Sequence, residues 1–266
     1  MGTIHTLESV AGVELTDVIY RKDGSVARVT LNRPEVLNAF TYRTQQQLRA
    51  VWKDMDADDS IRVAILNGNG RAFCAGVDMR EETVLSHGEF HSDGVVYFDL
   101  DHYSKPIIAA IHGAAVAGGL SLALGADVLI AAKGTRMGYP QTRWGFMAGG
   151  EGQVRFYHLV PYLVRWYMMS GELFTAEEAY RLGMVLEVVP QDRLLERADE
   201  LARKLLQCSP LAVRYTKESL VVVEGVPTYE GYRRSRHVAN RYYATEDYRE
   251  SVQAFLEKRK PSFKGR

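Results

Sequence analysis

The sequence is poor in cysteine, has no long apolar run and carries no excess of either charge. Only Cys74 and Cys208 are present among 266 residues. Two thiols without metal-type spacing exclude a disulfide framework and point to a reducing compartment. No stretch of about 18 apolar residues occurs, so no membrane-spanning helix is expected. Lys and Arg number 33 and so do Asp and Glu, a formal net charge of zero. That argues against a general nucleic-acid surface, which needs a basic excess. The segment from Met1 to Leu15 is mixed and carries acidic residues. It resembles neither a secretory signal nor an Arg-rich transit segment, so a cytoplasmic location is expected. The balance is uneven, however: residues 201–266 hold 14 Lys and Arg against 7 Asp and Glu. Such a local excess suits either a solvated helix face or an anionic small molecule.

What is present is an ordinary globular composition, 46% hydrophobic and 25% charged, with length enough for a sizeable core. Val18 to Tyr20 and Val26 to Leu31 flank Asp23-Gly24, a hairpin signature. Asn32-Arg33-Pro34 breaks the second strand. Thr41 reads as a helix cap, followed by Leu48, Val51, Trp52 and Met55 at helical spacing. Strands are expected at Arg62–Leu66, Ile107–Ile111 and Asp127–Ala131, with a short helix at Gly119–Leu124. Residues 79–104 read as polar and helical in two pieces, with a break near Gly94. This alternation indicates an α/β layered fold. Beyond about residue 190 the pattern becomes helical: Arg193–Gln207, Leu211–Val223, Tyr229–Tyr243 and Tyr248–Lys258. Tyr248, Val252, Phe255 and Leu256 form an apolar stripe on the last of these. The expected division is a core over 1–190 and a helical C-terminal region over 191–266.

Two glycine-bearing segments stand out, Ala72-Phe73-Cys74-Ala75-Gly76-Val77-Asp78 and Ala117-Gly118-Gly119-Leu120-Ser121. Each lies where a strand-like run gives way to a helix-like one. Bends of small residues there leave backbone N–H groups free. Two such bends meeting would aim two donors at one oxygen, an arrangement suited to enolate or tetrahedral oxyanions. Tight strand-to-helix packing is the alternative use of the same glycines.

These segments, taken with Leu31-Asn32-Arg33-Pro34-Glu35-Val36-Leu37-Asn38-Ala39, Lys105-Pro106-Ile107-Ile108-Ala109-Ala110-Ile111-His112-Gly113, Ala126-Asp127 and Ala179-Tyr180-Arg181-Leu182-Gly183-Met184-Val185, resemble the crotonase (enoyl-CoA hydratase/isomerase) superfamily. The resemblance runs from about Asp17 to the C-terminus. It implies a spiral of ββα units, a helical trimerisation region, and a homotrimer or dimer of trimers. It implies an acyl-CoA thioester as ligand, coenzyme A being part of the substrate and no separate cofactor being needed. The thioester oxygen would accept from the amides of Val77 and Gly118. Leu37, Ala39, Phe73 and Ala75 would line the CoA channel. Lys258, on the last helix, would approach the CoA phosphates.

The sequence departs from the hydratase pattern at two places. The resemblance assigns a glutamate three residues after Gly118, where Ser121 stands, and another in a Gly-x-Pro-Glu segment, where Gly138-Tyr139-Pro140-Gln141 puts Gln141. Syn-hydration needs a base for water and an acid for the α-carbon, and neither an alcohol nor an amide serves unaided near pH 7. Ser121 and Gln141 are left to hold water or a carbonyl, or simply to fill the positions. Glu151 is the nearest carboxylate in sequence, two residues beyond Gly149, where related isomerases carry theirs. It reads either as a replacement acid/base or as a favourable charge in a helix first turn. Arg143 suits a substrate carboxylate or a surface ion pair. His87 and His91, four apart, suit zinc or a solvated lid, and in an inward-folded lid either would serve as a base. His112 and Asp127 read as structural, Asp78 as the cap of a following helix, and Cys74 as a thiol directed away from the ligand. RNA binding and noncatalytic acyl-CoA binding are the rival functions.

Overall fold

The computed structural model describes residues 4–80, 100–146, 148, 151–223 and 228–266. The expected break at Gly94, the histidines His87 and His91, and Gly149 lie outside them. Among the described residues twelve strands follow in chain order: β1 (Ile4–Leu7), β2 (Ser9–Val10), β3 (Val13–Glu14), β4 (Val18–Asp23), β5 (Val26–Leu31), β6 (Val63–Gly68), β7 (Ile107–Ile111), β8 (Ala114–Val116), β9 (Val128–Ala132), β10 (Arg136–Gly138), β11 (Leu173–Thr175) and β12 (Glu187–Val189). The helices are α1 (Tyr42–Ala57), α2 (Gly118–Leu124), α3 (Glu151–Leu159), α4 (Leu163–Ser170), α5 (Ala176–Arg181), α6 (Leu194–Leu206), α7 (Pro210–Val221), α8 (Thr228–Tyr243) and α9 (Glu246–Leu256).

The main sheet runs β1-β4-β5-β6-β7-β9-β12. β1, β4 and β5 pair antiparallel, and from β5 onward every pairing is parallel. The β4–β5 hairpin closes through Gly24-Ser25, with Gly24 at φ +57° as the first central residue; glycine takes that conformation without penalty. The parallel strands are covered on both faces, which is why β7 is buried at all five positions. Period-two alternation divides them. Ala64, Leu66, Ile107, Ala109 and Ile111 face a core shared with Leu48, Val51, Trp52 and Met55 of α1. Val63, Ile65, Ile108, Ala110 and Ile130 face Leu194, Ala198 and Ala202 of α6. Thr41 caps α1 reciprocally with Thr44, satisfying two otherwise orphaned amides.

A second, shorter layer orders β11-β10-β8. It continues past β8 only as isolated bridges, Cys74 with Ala115 and Phe40 with Val77. Successive units therefore place one stretch in the main sheet and the next in this layer, followed by a helix, as β7, β8 and α2 do. Where the second layer thins to single bridges, fewer of its amides are used by the ladder. The two glycine segments lie at that point.

The C-terminal elements start and stop within about two residues of expectation. Two members of the stripe on α9 stay out of the core, however: Leu256 is 73% exposed and Val252 is also open. The helix instead buries Ala254 and Asp247. Asp247 accepts from Ser209 Oγ at 3.1 Å and from the Lys264 amide at 2.8 Å, pinning the terminal tail.

Candidate active site

Cys74 crosses between the loops by donating its amide to Ala114 O at 3.0 Å and accepting from Val116 N at 3.1 Å. Gly119 packs against the same residue. A Cβ there would stand 2.3 Å from Cys74 O, so only glycine permits the approach. Gly76, at φ +94°, meets the other loop: a Cβ on it would lie 3.2 Å from Gly118 N. The Gly76–Val77 peptide and the Gly118 amide are therefore neighbours.

The direction of each amide has a local cause. Phe40 N donates to Gly76 O at 2.9 Å and Asp78 N donates to Phe40 O at 2.9 Å. In a parallel bridge those bonds use the groups flanking Val77, so its own N–H points away from Phe40. Gly118 begins α2, and the first amides of a helix have no intrahelical acceptor. Ala117 turns the chain into that helix at φ 52° and ψ −126°, a conformation costly for an L-residue. Its own amide is held by Gly138 O at 2.9 Å. Among the described residues, neither Val77 N nor Gly118 N meets a protein acceptor.

Ser121 lies one turn into α2, buried, with its Oγ 3.2 Å from the Tyr139 hydroxyl. Tyr139 is buried too, its ring centroid 5.6 Å from that of Phe156 on α3. Gln141 sits in the short helical turn Pro140–Trp144, with its Oε1 buried and without a partner among the described residues. A buried acceptor without a donor is costly, and a bound group or water offering a hydrogen would relieve it. Glu151 is the first residue of α3; its side chain lies outside the described residues.

The other candidates have evident occupations. Burial pushes the Cys74 thiol up to about 12. Its Sγ lies 3.1 Å from Asn38 O, so it is a neutral thiol and no ready nucleophile. His112 Nε2 meets Gly70 O at 2.9 Å. Asp127 accepts from Ile107 N at 2.8 Å and pairs with buried Lys217 at 2.9 Å, anchoring strands as expected. Arg143 forms no ion pair among the described residues; its Nε donates to Ser170 O at 3.1 Å, at the end of α4. Leu37 O accepts from Ala75 N at 3.0 Å, while Ala39 is buried and Phe73 belongs to the core. Lys258 lies beyond the last helix rather than on it, exposed and at φ 52°, because α9 ends at Leu256.

Sequence reasoning missed two features. One is Tyr139, whose partner Ser121 is 18 residues away. The other is the ionic cluster around Asp78. Arg80 approaches it at 2.9 Å and Arg33 at 3.2 Å. The Arg80 side chain, with help from its own amide and from Arg33, holds the Asp78 carboxyl down at about 2. Within the described residues Asp78 thus closes a turn to Arg80 N at 3.2 Å; the expected helix after it lies outside them.

Comparison with known proteins agrees with this architecture. The enoyl-CoA hydratase/isomerase family model matches residues 21–266. A 2,3-dehydroadipyl-CoA hydratase of Escherichia coli is 36% identical over 95% of this chain and 100% of its own length. An (E)-benzylidenesuccinyl-CoA hydratase of Thauera aromatica is 36% identical over 90% of this chain and 96% of its own. The crystal structure of an enoyl-CoA hydratase from Mycobacterium tuberculosis superimposes with a TM-score of 0.84 at 31% identity, covering 94% of this chain and 99% of that one. The spiral of paired strands and helices is accordingly the crotonase fold, and the chain belongs to the enoyl-CoA hydratase/isomerase family.

Proposed function

We propose that the protein is an acyl-CoA-processing enzyme that stabilises a thioester enolate between the amides of Val77 and Gly118. The observation that carries this reading is the pair of neighbouring amides where the two loops meet, neither with an acceptor among the described residues. Each such donor is worth about 3 kcal/mol in a transition state. The relatives named for CoA-thioester hydration support the ligand class. Leu37, Ala39, Phe73 and Ala75 border the CoA path, with Ala75 and backbone groups making the contacts because the Phe73 ring is in the core. Lys258 meets the CoA phosphates. The thioester brings its own coenzyme A, and no further cofactor takes part.

Ser121 and Gln141 occupy the places of the family's two glutamates, so the catalytic set is non-standard. Glu151 at the head of α3 supplies the missing acid/base, while Ser121 and Gln141 hold water or the acyl group. Replacing Glu151 by Gln should then cut turnover about 100-fold. Enolate stabilisation without two carboxylates also suits decarboxylation, hydrolysis or carbon–carbon cleavage of a thioester. The neutral groups at 121 and 141 favour one rival reading, a noncatalytic acyl-CoA-binding protein.

The working unit is a homotrimer or dimer of trimers in the cytoplasm, built around a core to residue 190 and helices over 191–266. Tyr162 is 88% and Trp144 77% exposed, with Trp166 and Met169 also open on the adjoining α4. Large exposed apolar residues grouped in this way suit a subunit contact. Among the described residues no helix is long and apolar enough to cross a membrane.

The deciding experiment incubates the purified protein with crotonyl-CoA and with unsaturated, malonyl-type and β-diketo thioesters. Turnover of any one establishes an enzyme. Thermal stabilisation by the thioesters with no product from any of them transfers the reading to a binding protein.

A further inference from the structure

The geometry points to Arg33 as the positioning residue that sets the Val77 arm of the thioester site, through simultaneous contacts on both sides of the Phe40–Val77 bridge. This inference rests on the reading of Val77 and Gly118 as thioester donors. It begins with a turn. After β5 the chain passes through Leu37 at φ 54° and Asn38 at φ 56°, two consecutive non-glycine residues in the left-handed region. Such a turn persists only where its surroundings hold it. Asn38 supplies part of the hold: its Nδ2 donates to Asn69 O and Ala72 O, both at 2.8 Å, and its Oδ1 accepts from Arg33 N at 2.8 Å.

The Arg33 side chain supplies the rest. Its Nη1 donates to Ala39 O, the carbonyl just before Phe40. Its Nη2 donates to Asp78 Oδ2 at 3.2 Å, the residue just after Val77. Its Nε lies 3.8 Å from buried Asp17. One guanidinium thereby grips both strands of the single bridge that orients the Val77 amide. The bridge itself has two backbone bonds, and the Ala75 N to Leu37 O bond at 3.0 Å holds the strands on its near side, so the guanidinium adds the side-chain hold at the Val77–Asp78 end. Arg80 touches Asp78 as well, through two bonds at 2.9 Å, but it lies two residues along the same strand and so does not span the bridge.

The contact has an electrostatic side. The Asp78 carboxylate lies one residue from an amide that is to receive negative charge. Left unpaired, it would oppose an oxyanion at Val77; paired with Arg33 and Arg80, its field is offset. A lysine keeps the charge but lacks the planar fork needed to reach a carbonyl and a carboxylate together. Displacing a catalytic donor by about 1 Å costs on the order of 100-fold in rate.

The test reads the thioester carbonyl itself. Carbonyl-labelled butyryl-CoA, a saturated probe, is bound to the purified protein and its C=O stretch followed by isotope-edited infrared difference spectroscopy. Wild type should lower the stretching frequency on binding. Arg33→Lys should lose most of that lowering and turn over any accepted thioester about 100-fold more slowly. Arg43→Lys is the control: Arg43 binds the same Asp17 at 2.8 Å but touches neither Ala39 nor Asp78, so it should affect stability and leave the carbonyl shift unchanged. If Arg33→Lys does not fold, Arg33→Gln takes its place, keeping a donor for Ala39 O while leaving Asp78 to Arg80 alone; a reduced shift is again expected. Wild-type lowering that persists undiminished in the folded variant overturns the role of Arg33 alone. No lowering in wild type overturns the Val77–Gly118 reading itself.

Discussion

The two halves of the site are built from different materials. The half proposed to face a thioester oxygen is backbone, and its loops are pressed together until no Cβ fits at Gly119. The half that would move protons is side chain: Ser121 joined to Tyr139, and Gln141 with an unmet acceptor. A main-chain donor cannot be deleted by substitution, only displaced, so its geometry is enforced by packing and by ion pairs such as that of half-buried Arg33 with buried Asp78. A side-chain acid or base is removed by a single substitution without moving the chain. On the proposed reading, the first half remains crotonase-like while the second departs from it.

The sharpest break of that contrast is Gly119→Ala. The added methyl would stand 2.3 Å from Cys74 O and 2.8 Å from Cys74 C, both backbone atoms that cannot rotate aside. We expect a loss of about 3 kcal/mol in chemical denaturation, accompanied by loss of thioester binding. Normal stability would mean that the loops are not in tight register. Next in size is a gain. If Ser121 and Gln141 stand where the proposed reading puts them, placing carboxylates there with Ser121→Glu and Gln141→Glu together should raise hydration of crotonyl-CoA about 100-fold, assayed by loss of enoyl absorbance. No gain in a folded variant would show that these side chains do not face the reacting carbons. Tyr139→Phe is milder. It removes the hydroxyl at Ser121 while the ring keeps its packing on Phe156, so the expected cost is about 1 kcal/mol of stability.

The smallest effect is a dependence on pH. Asp78 is depressed from 3.8 to about 2, chiefly by the Arg80 side chain. A carboxyl with a lowered folded-state pKa contributes stability above its unfolded value, and that contribution disappears as pH falls through the folded value. Wild type should therefore exceed Asp78→Asn in stability above pH 3.8, and the difference should shrink as pH falls toward 2. A difference that is constant across this window would mean that Asp78 is not paired in the folded state.

Much of the framework was legible in the residues. The Asp23-Gly24 turn, the Thr41 cap and the apolar alternation of β6 and β7 each follow from local stereochemistry and periodicity. The two glycine segments were legible as bends of small residues, while their meeting was a condition that the sequence did not decide. Less visible was anything depending on where a side chain points after the spiral closes. The α9 stripe shows this plainly: helical spacing gave an apolar face, yet nothing in the period says whether the face meets the core or the outside. Lys258 shows the same for boundaries, since the helix stops two residues before it. The side chain of Glu151, on which the replacement acid/base depends, is not among the groups described.

By itself the sequence determined the elements, their order and the small residues that let the Cys74 and Gly118 loops touch, because these rest on neighbours along the chain. Only the tertiary structure decided that Arg33 meets Asp78 across 45 positions and that Tyr139 meets Ser121 across 18. Such pairings arise from the register between separate units of the spiral, and no local preference encodes that register.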